Sequence, residues 1–211
     1  MKFNLLILLL TFIISIIIIE PVGKINNKYI YIDPGHGGFD GGKSSSCNLL
    51  EKDLVLDIAY LIKDYLEKYG YNVVLTRYKD ISLGKTKKED IYKRVDLINK
   101  DNVILYLSIH ANYYTSSNVR GAKVFYRKES NKLLADTIKS YIDLVDNTKR
   151  IVKSIKGKYL LDNTNTTGCL IEVGFLSNID DVTNLKNPIY LSNLSKYISL
   201  GVIDYLSKEG E

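Results

Sequence analysis

The chain has 211 residues, of which 45% are hydrophobic and 25% are charged, and it contains 2 cysteines and 3 prolines. This length suits one domain, or one domain with a targeting segment, and the composition excludes a disordered chain, a disulfide scaffold and a collagen-like repeat. The net charge of +5 favours an anionic partner, but no basic block or pattern of stacking aromatic residues stands out, so nucleic acid is not expected as a partner.

The amino terminus carries an apolar run over residues 5–19, which Lys2 precedes. A positive start followed by a hydrophobic run is typical of a signal sequence. No small-x-small cleavage site follows, so an uncleaved membrane anchor is favoured over a cleaved peptide, and the alternative is a buried strand or helix of the folded domain. We therefore expect a signal or anchor segment over residues 1–24 and a single folded domain over residues 25–211, exported across the cytoplasmic membrane.

Beyond residue 24, short apolar segments alternate with amphipathic ones. The apolar segments predict strands over residues 29–33, 72–76, 103–109, 122–126 and 169–173. Apolar side chains at helical spacing predict four helices, carried by Leu54, Ile58, Leu61, Ile62 and Tyr65, by Ile91, Val95 and Ile98 after a Thr86–Glu89 capping box, by Leu134, Ile138, Ile142 and Val145, and by Tyr190, Leu194, Ile198 and Val202. Residues 147–167 give no clear pattern. The alternation predicts an α/β layered fold with its site at the carboxyl edge of the strands.

Both histidines of the chain fall at that edge. His36 follows the first strand through a short turn, and His110 ends the third strand. Two carboxylates accompany them, because Glu51 opens the first helix and Glu172 lies inside an apolar segment, where an unpaired charge is costly. Two histidines and a carboxylate are the ligand set of a catalytic zinc, and a second carboxylate can accept a proton from water. The alternatives are structural histidines, a helix-start role for Glu51 and a salt bridge for Glu172.

Four ordered segments make the sequence recognisable: residues 32–38 (IDPGHGG), 51–53 (EKD), 108–112 (SIHAN) and 171–178 (IEVGFLSN). Together they resemble the zinc-dependent N-acetylmuramoyl-L-alanine amidases of the third amidase family, over about residues 28–207. The resemblance implies a mixed, mostly parallel sheet flanked by helices. It also implies one Zn²⁺ held by His36, Glu51 and His110, with Glu172 as general base. The implied reaction is hydrolysis of the amide between N-acetylmuramic acid and L-alanine in peptidoglycan.

The resemblance extends to supporting residues and to a subtype. Arg94 and Asn99 fall where such amidases carry an Arg and an Asn, and Arg94 and Asn112 are candidates for contact with substrate or for support of the ligands. Thr167 and Asp162 stand where the family often has a proline and a basic residue, so substrate contacts from that loop are in question. The compact, membrane-led form is similar to sporulation amidases that prepare cortex peptidoglycan for muramic-δ-lactam formation. Because neither a plugging helix nor a wall-binding repeat is recognised, we expect an accessory regulatory protein at the membrane.

Three other interpretations follow from shorter patterns. Residues 37–44 fit the phosphate-loop pattern G-x-x-x-x-G-K-[ST], which would indicate an NTPase if a helix began at Lys43 and Ser44. Cys47 with a histidine would suggest a cysteine peptidase, or Cys47 could pair with Cys169 in a disulfide. The last alternative is a non-catalytic peptidoglycan-binding module, which would have no use for a complete ligand set and Glu172.

Overall fold

The computed structural model describes residues 27–209, except for the side chain of Glu209. In this part of the chain, strands and helices form a layered α/β fold. The strands are β1 (Tyr29–Pro34), β2 (Val73–Leu75), β3 (Val103–Asn112), β4 (Lys123–Tyr126), β5 (Lys153–Ser154) and β6 (Gly168–Phe175). The helices are α1 (Glu51–Lys68), α2 (Lys87–Ile98), α3 (Lys132–Ile142), α4 (Tyr159–Asn163), α5 (Ile179–Leu185) and α6 (Pro188–Glu209). The predicted anchor segment, residues 1–24, lies outside the described residues.

The six strands form one sheet in the order β2-β1-β3-β6-β4-β5. All neighbouring pairs are parallel except β4 and β6, which are antiparallel. This confirms the expected mixed, mostly parallel sheet. In register, Pro34 lies opposite Ile109, and His110 lies opposite Glu172. The ends of β1, β3 and β6 therefore bring three of the four motif segments to the same edge, and the fourth, residues 51–53, opens helix α1.

Helices cover both faces of the sheet because its strands are apolar on both sides. In β1, Ile30 and Ile32 join the larger core cluster, to which α1, α3 and α6 contribute, whereas Tyr31 joins a smaller cluster with residues of α2 and α4. The predicted inward residues Ile58, Ile138 and Ile198 are fully buried. None of the helices within residues 27–209 combines the length and apolar character that a membrane crossing needs.

Several boundaries differ from the sequence prediction. Strand β3 continues through His110 to Asn112, because it keeps pairing with β6 as far as Phe175. Helix α2 begins after Thr86, whose hydroxyl accepts from the Glu89 N–H at 3.1 Å, but the Glu89 carboxylate accepts from the Lys85 N–H and not from Thr86. The capping box is thus only half formed. Residues 147–167, which gave no clear sequence pattern, contain the two-residue strand β5 and the short helix α4.

Candidate metal centre

His36 lies in the tight turn that leaves β1, and its backbone takes a left-handed conformation with φ of 60°. A non-glycine residue rarely adopts this conformation, which costs about 1 kcal/mol or more. Gly35, the residue before it, must be glycine for a steric reason, because a Cβ at this position would lie 2.2 Å from Cε1 of His110. The two imidazoles meet edge to face, with ring centroids 5.0 Å apart. The turn therefore places His36 directly against His110.

Glu51 joins the two histidines from the first turn of α1. Its Oε1 atom lies 3.1 Å from Nε2 of His36 and 3.0 Å from Nδ1 of His110, and it accepts from the Ala111 N–H at 3.1 Å. Its Oε2 atom accepts from the Lys43 N–H at 2.8 Å. One ligand atom from each of His36, Glu51 and His110 lies within 4.8 Å of the others. The three residues predicted as ligands are thus brought together.

Asp40 determines which nitrogen His36 turns toward this cluster. The Asp40 carboxylate lies 2.8 Å from Nδ1 of His36 and also pairs with Lys87 at 2.7 Å. Partial burial alone would raise the pKa of Asp40, but the hydrogen bonds from Lys87 and His36 lower it to about 2. An ionised carboxylate only accepts, so Nδ1 donates and the neutral ring presents the lone pair of Nε2 to Glu51. Histidine metal ligands are commonly oriented by a carboxylate in this way.

The donor set fits a metal cation. In the neutral tautomer, Nε2 of His36 and Oε1 of Glu51 are two acceptors that face each other, which requires a shared proton or a cation between them. Burial alone would raise the pKa of Glu51, but His110 and His36, when protonated and donating to it, lower that pKa far below its usual range. Burial alone would lower the pKa of His36, yet Glu51 and Asp40 raise it. Two imidazoles and a carboxylate are a ligand set that suits zinc.

Glu172 lies on β6 next to this cluster, with its Cα in register with that of His110. Its Oε2 atom is buried and has no hydrogen-bond partner among the described residues, which excludes the salt bridge considered above. Burial raises the pKa of Glu172, and the charge of His110 opposes this effect only in part. A buried carboxyl oxygen that has no partner among residues 27–209 is available to a group that enters the cleft.

A pair of buried arginines holds the turn that carries His36, and the sequence analysis missed the first of them. Arg77 donates to the carbonyls of Pro34 at 3.0 Å and Gly35 at 2.9 Å. Arg94 donates to the carbonyls of Pro34 and His36 and pairs with Asp33 at 2.8 Å. Arg94 is therefore a support of the ligand turn. The signal for Arg77 was its position just after β2, at the same edge as His36.

The cluster opens into a cleft of about 320 Å³. Its lining includes the predicted residue Asn112, together with Lys43, Lys87, Tyr113 and Lys158. The side chain of Asn112 accepts from the Tyr113 N–H at 2.8 Å. Asn99 lies elsewhere: its side chain donates to the Asn163 carbonyl at 2.9 Å and accepts from the Asn165 N–H at 2.8 Å.

The phosphate-loop and cysteine interpretations do not fit this geometry. No helix begins at Lys43 and Ser44, because the chain stays in a loop until α1 starts at Glu51, and Ser44 forms a β-bridge with Leu50. Cys47 is exposed and Cys169 is buried, and both are free. Among residues 27–209, the sulfur of Cys47 contacts the Ser46 hydroxyl and no imidazole.

Comparison with known proteins supports the same activity that the residues of this site indicate. The family described as N-acetylmuramoyl-L-alanine amidase matches residues 30–204. The chain belongs to this amidase family. The germination-specific N-acetylmuramoyl-L-alanine amidase of Bacillus subtilis (strain 168) is 39% identical over 198 residues, which cover 89% of this chain and 83% of that protein.

Solved structures of amidases share the fold. The CwlD amidase from Clostridioides difficile, in complex with the GerS lipoprotein, has a TM-score of 0.81 and 34% identity, covering 85% of this chain and 98% of that chain. The catalytic domain of the amidase CwlV from Bacillus (Paenibacillus) polymyxa has a TM-score of 0.78 and 27% identity, with coverage of 85% and 98%. This amidase therefore resembles both a germination-specific relative and catalytic domains of known structure.

Proposed function

We propose that this amidase holds one zinc ion on His36, Glu51 and His110, and that it hydrolyses the amide between N-acetylmuramic acid and L-alanine in peptidoglycan with Glu172 as general base. The observation that carries the proposal is the convergence of three ligand atoms within 4.8 Å beside a buried carboxylate oxygen that has no partner in the described chain. A zinc ion in such a site supplies Lewis-acid polarisation and makes water acidic enough to attack near neutral pH.

Glu172 moves the proton in this reaction. Its carboxylate accepts a proton as the water oxygen bonds to the lactyl carbonyl carbon, and it returns that proton to the alanine nitrogen as the C–N bond breaks. The raised pKa caused by burial makes it a stronger base than an exposed glutamate. Asp40, Arg77 and Arg94 take no part in the transfer, because they contact the side chain or the backbone of the His36 turn.

The biological setting is inferred from the relatives. The germination-specific relative supports a role in the spore cortex, where removal of the stem peptide precedes muramic-δ-lactam formation. We further propose that residues 1–24 anchor the protein on the outer side of the cytoplasmic membrane. The neighbour solved with a lipoprotein supports the expected accessory protein on that membrane face. A pulldown from native membranes that recovers no specific protein would contradict this last point.

Digestion of purified peptidoglycan tests the proposed reaction. The full-length protein should carry one zinc per chain and release stem peptides with a free L-alanine amino terminus, and removal of the metal with a chelator should stop the release. A non-catalytic binding module would sediment with peptidoglycan and release nothing. Release of peptides that begin at another residue would place the cleaved bond elsewhere and contradict the assignment.

A further inference from the structure

A second cavity adjoins the cleft at the metal centre. This cavity, of about 150 Å³, shares His110, Lys158 and Glu172 with the cleft. Its other walls are mainly apolar, from Ile91, Leu160, Leu161 and Leu170. The cleft and this cavity, together called the groove, therefore adjoin at the three shared residues, the cleft being polar and the second cavity mainly apolar. A substrate whose scissile bond lies at Glu172 has both cavities beside it.

Lys158 is the cation at the junction of the two cavities. In the part of the chain that the structure describes, no carboxylate lies within ion-pair distance of it, whereas Lys87 in the same cleft pairs with Asp40 at 2.7 Å. The side chain of Lys158 is exposed at the groove, so its charge is available to an anion that enters. An ammonium with no internal partner beside a binding groove is suited to a carboxylate of the ligand.

The backbone that carries Lys158 is held in place. Asp162 accepts from the Gly157 N–H at 2.8 Å, donates its own N–H to the Lys158 carbonyl at 2.9 Å and pairs with Arg127. The neighbouring Leu160 and Leu161 are buried. Asp162 therefore anchors the loop, although it departs from the pattern of the resembled family. The basic residue that this loop brings to the groove is Lys158.

We propose that Lys158 binds the carboxylate on the second residue of the stem peptide, while the apolar cavity accepts the methyl group of the alanine. In a stem peptide whose second residue is a glutamate linked through its side chain, the α-carboxylate is free to make this contact. This proposal rests on the proposed amidase function and adds its preference: stem peptides with a free carboxylate are favoured over amidated ones. Lys158 acts in binding and not in proton transfer.

Kinetics on two soluble glycan fragments test the proposal. The fragments differ only in whether the α-carboxylate of the second residue is free or amidated. Full-length wild-type protein should show a KM about threefold to tenfold lower for the free carboxylate, with a similar kcat. Lys158→Gln should raise KM for that fragment by the same factor and remove the preference. Lys156→Gln, a change at an exposed neighbour outside both cavities, should behave as wild type.

The outcomes separate this proposal from the function on which it rests. An equal KM for both fragments in wild type, or a preference that survives in Lys158→Gln, would overturn the role of Lys158 while the amidase function stands. A fall in kcat on both fragments with unchanged preference would mean that Lys158 acts on Glu172, and would also overturn it. Hydrolysis of neither fragment by wild type would overturn the amidase function, and this proposal with it.

Discussion

Arg94→Met tests whether the buried arginines hold the ligand turn. Methionine has an apolar side chain comparable to the methylene stem of arginine, but it lacks the guanidinium. In the wild type this guanidinium pairs with Asp33 at 2.8 Å and donates to the His36 carbonyl. The side chains of Arg94 and Asp33 are only 2% and 1% exposed, so the variant leaves a buried carboxylate without its counter-charge. Breaking such a pair costs about 3 to 5 kcal/mol of unfolding free energy. For a domain of this size, the melting temperature should fall by roughly 6 to 20 °C.

The matched control is Arg127→Met. Arg127 also pairs with an aspartate, Asp162, but these side chains are 34% and 27% exposed. Water already solvates such a pair, so its loss should cost about 1 kcal/mol or less. Urea unfolding of both variants measures the difference. A loss below about 1 kcal/mol in Arg94→Met, or an equal loss in the two variants, would refute the argument that burial makes this pair essential.

The pH dependence of the same measurement tests whether the loss in Arg94→Met comes from the charge of a carboxylate, of which Asp33 is the more buried partner of Arg94 and Asp90 the other. Burial alone would raise the pKa of Asp33, but Arg94 and the Thr76 hydroxyl lower it below its usual value of 3.8. A lowered folded-state pKa contributes stability above the unfolded-state value and loses it as the pH falls through the folded-state value. The deficit of Arg94→Met should therefore be largest near neutral pH and shrink below about pH 4. A deficit that does not change with pH would show that packing, and not charge, is lost.

Three further predictions concern the metal, the rejected phosphate loop and the amino terminus. His36→Ala and His110→Ala should each lose most of the bound zinc, because two remaining ligands hold a catalytic metal poorly, and full occupancy by elemental analysis in both would contradict the ligand assignment. Lys43→Ala should leave peptidoglycan cleavage nearly unchanged, because Lys43 holds Glu51 through its backbone N–H, which alanine keeps, whereas ATP binding that this change abolishes would favour an NTPase. Full-length protein should fractionate with membranes with residues 1–20 intact by mass spectrometry, and a mature amino terminus near Gly23 would indicate cleavage.

The sheet and the convergence of the motif residues were predictable because they depend on local patterns. Apolar segments marked each long strand, and His36 and His110 stand at the ends of two of them. Parallel neighbouring strands bring such ends to one edge, so the two histidines had to lie close together. Glu51 could be placed at a helix start, and the apolar neighbours of Glu172 indicated a buried carboxylate. The assignment of these four residues to zinc and catalysis stays a prediction.

The supporting residues were not predictable because their contacts depend on how distant loops pack. Arg77 reaches the Pro34 and Gly35 carbonyls across 42 or 43 residues of sequence, and no periodic pattern encodes such a contact. Asp40 is close to His36 in sequence, but its role depends on the left-handed turn at His36. Lys158 lies in the stretch that gave no pattern, because helix α4, which follows it, has only 5 residues and is set by packing and by Asp162.

The most direct test of the account is Glu172→Gln, measured for zinc content, melting temperature and peptidoglycan cleavage on one preparation. Glutamine keeps the shape and hydrogen bonding of the side chain but cannot accept the proton. We expect zinc content and melting temperature close to wild type, with cleavage slower by about 10² to 10⁴, or roughly 3 to 5 kcal/mol in the barrier. Loss of zinc would make Glu172 a ligand instead. Cleavage near the wild-type rate would contradict the proposed mechanism, even if the zinc site is right.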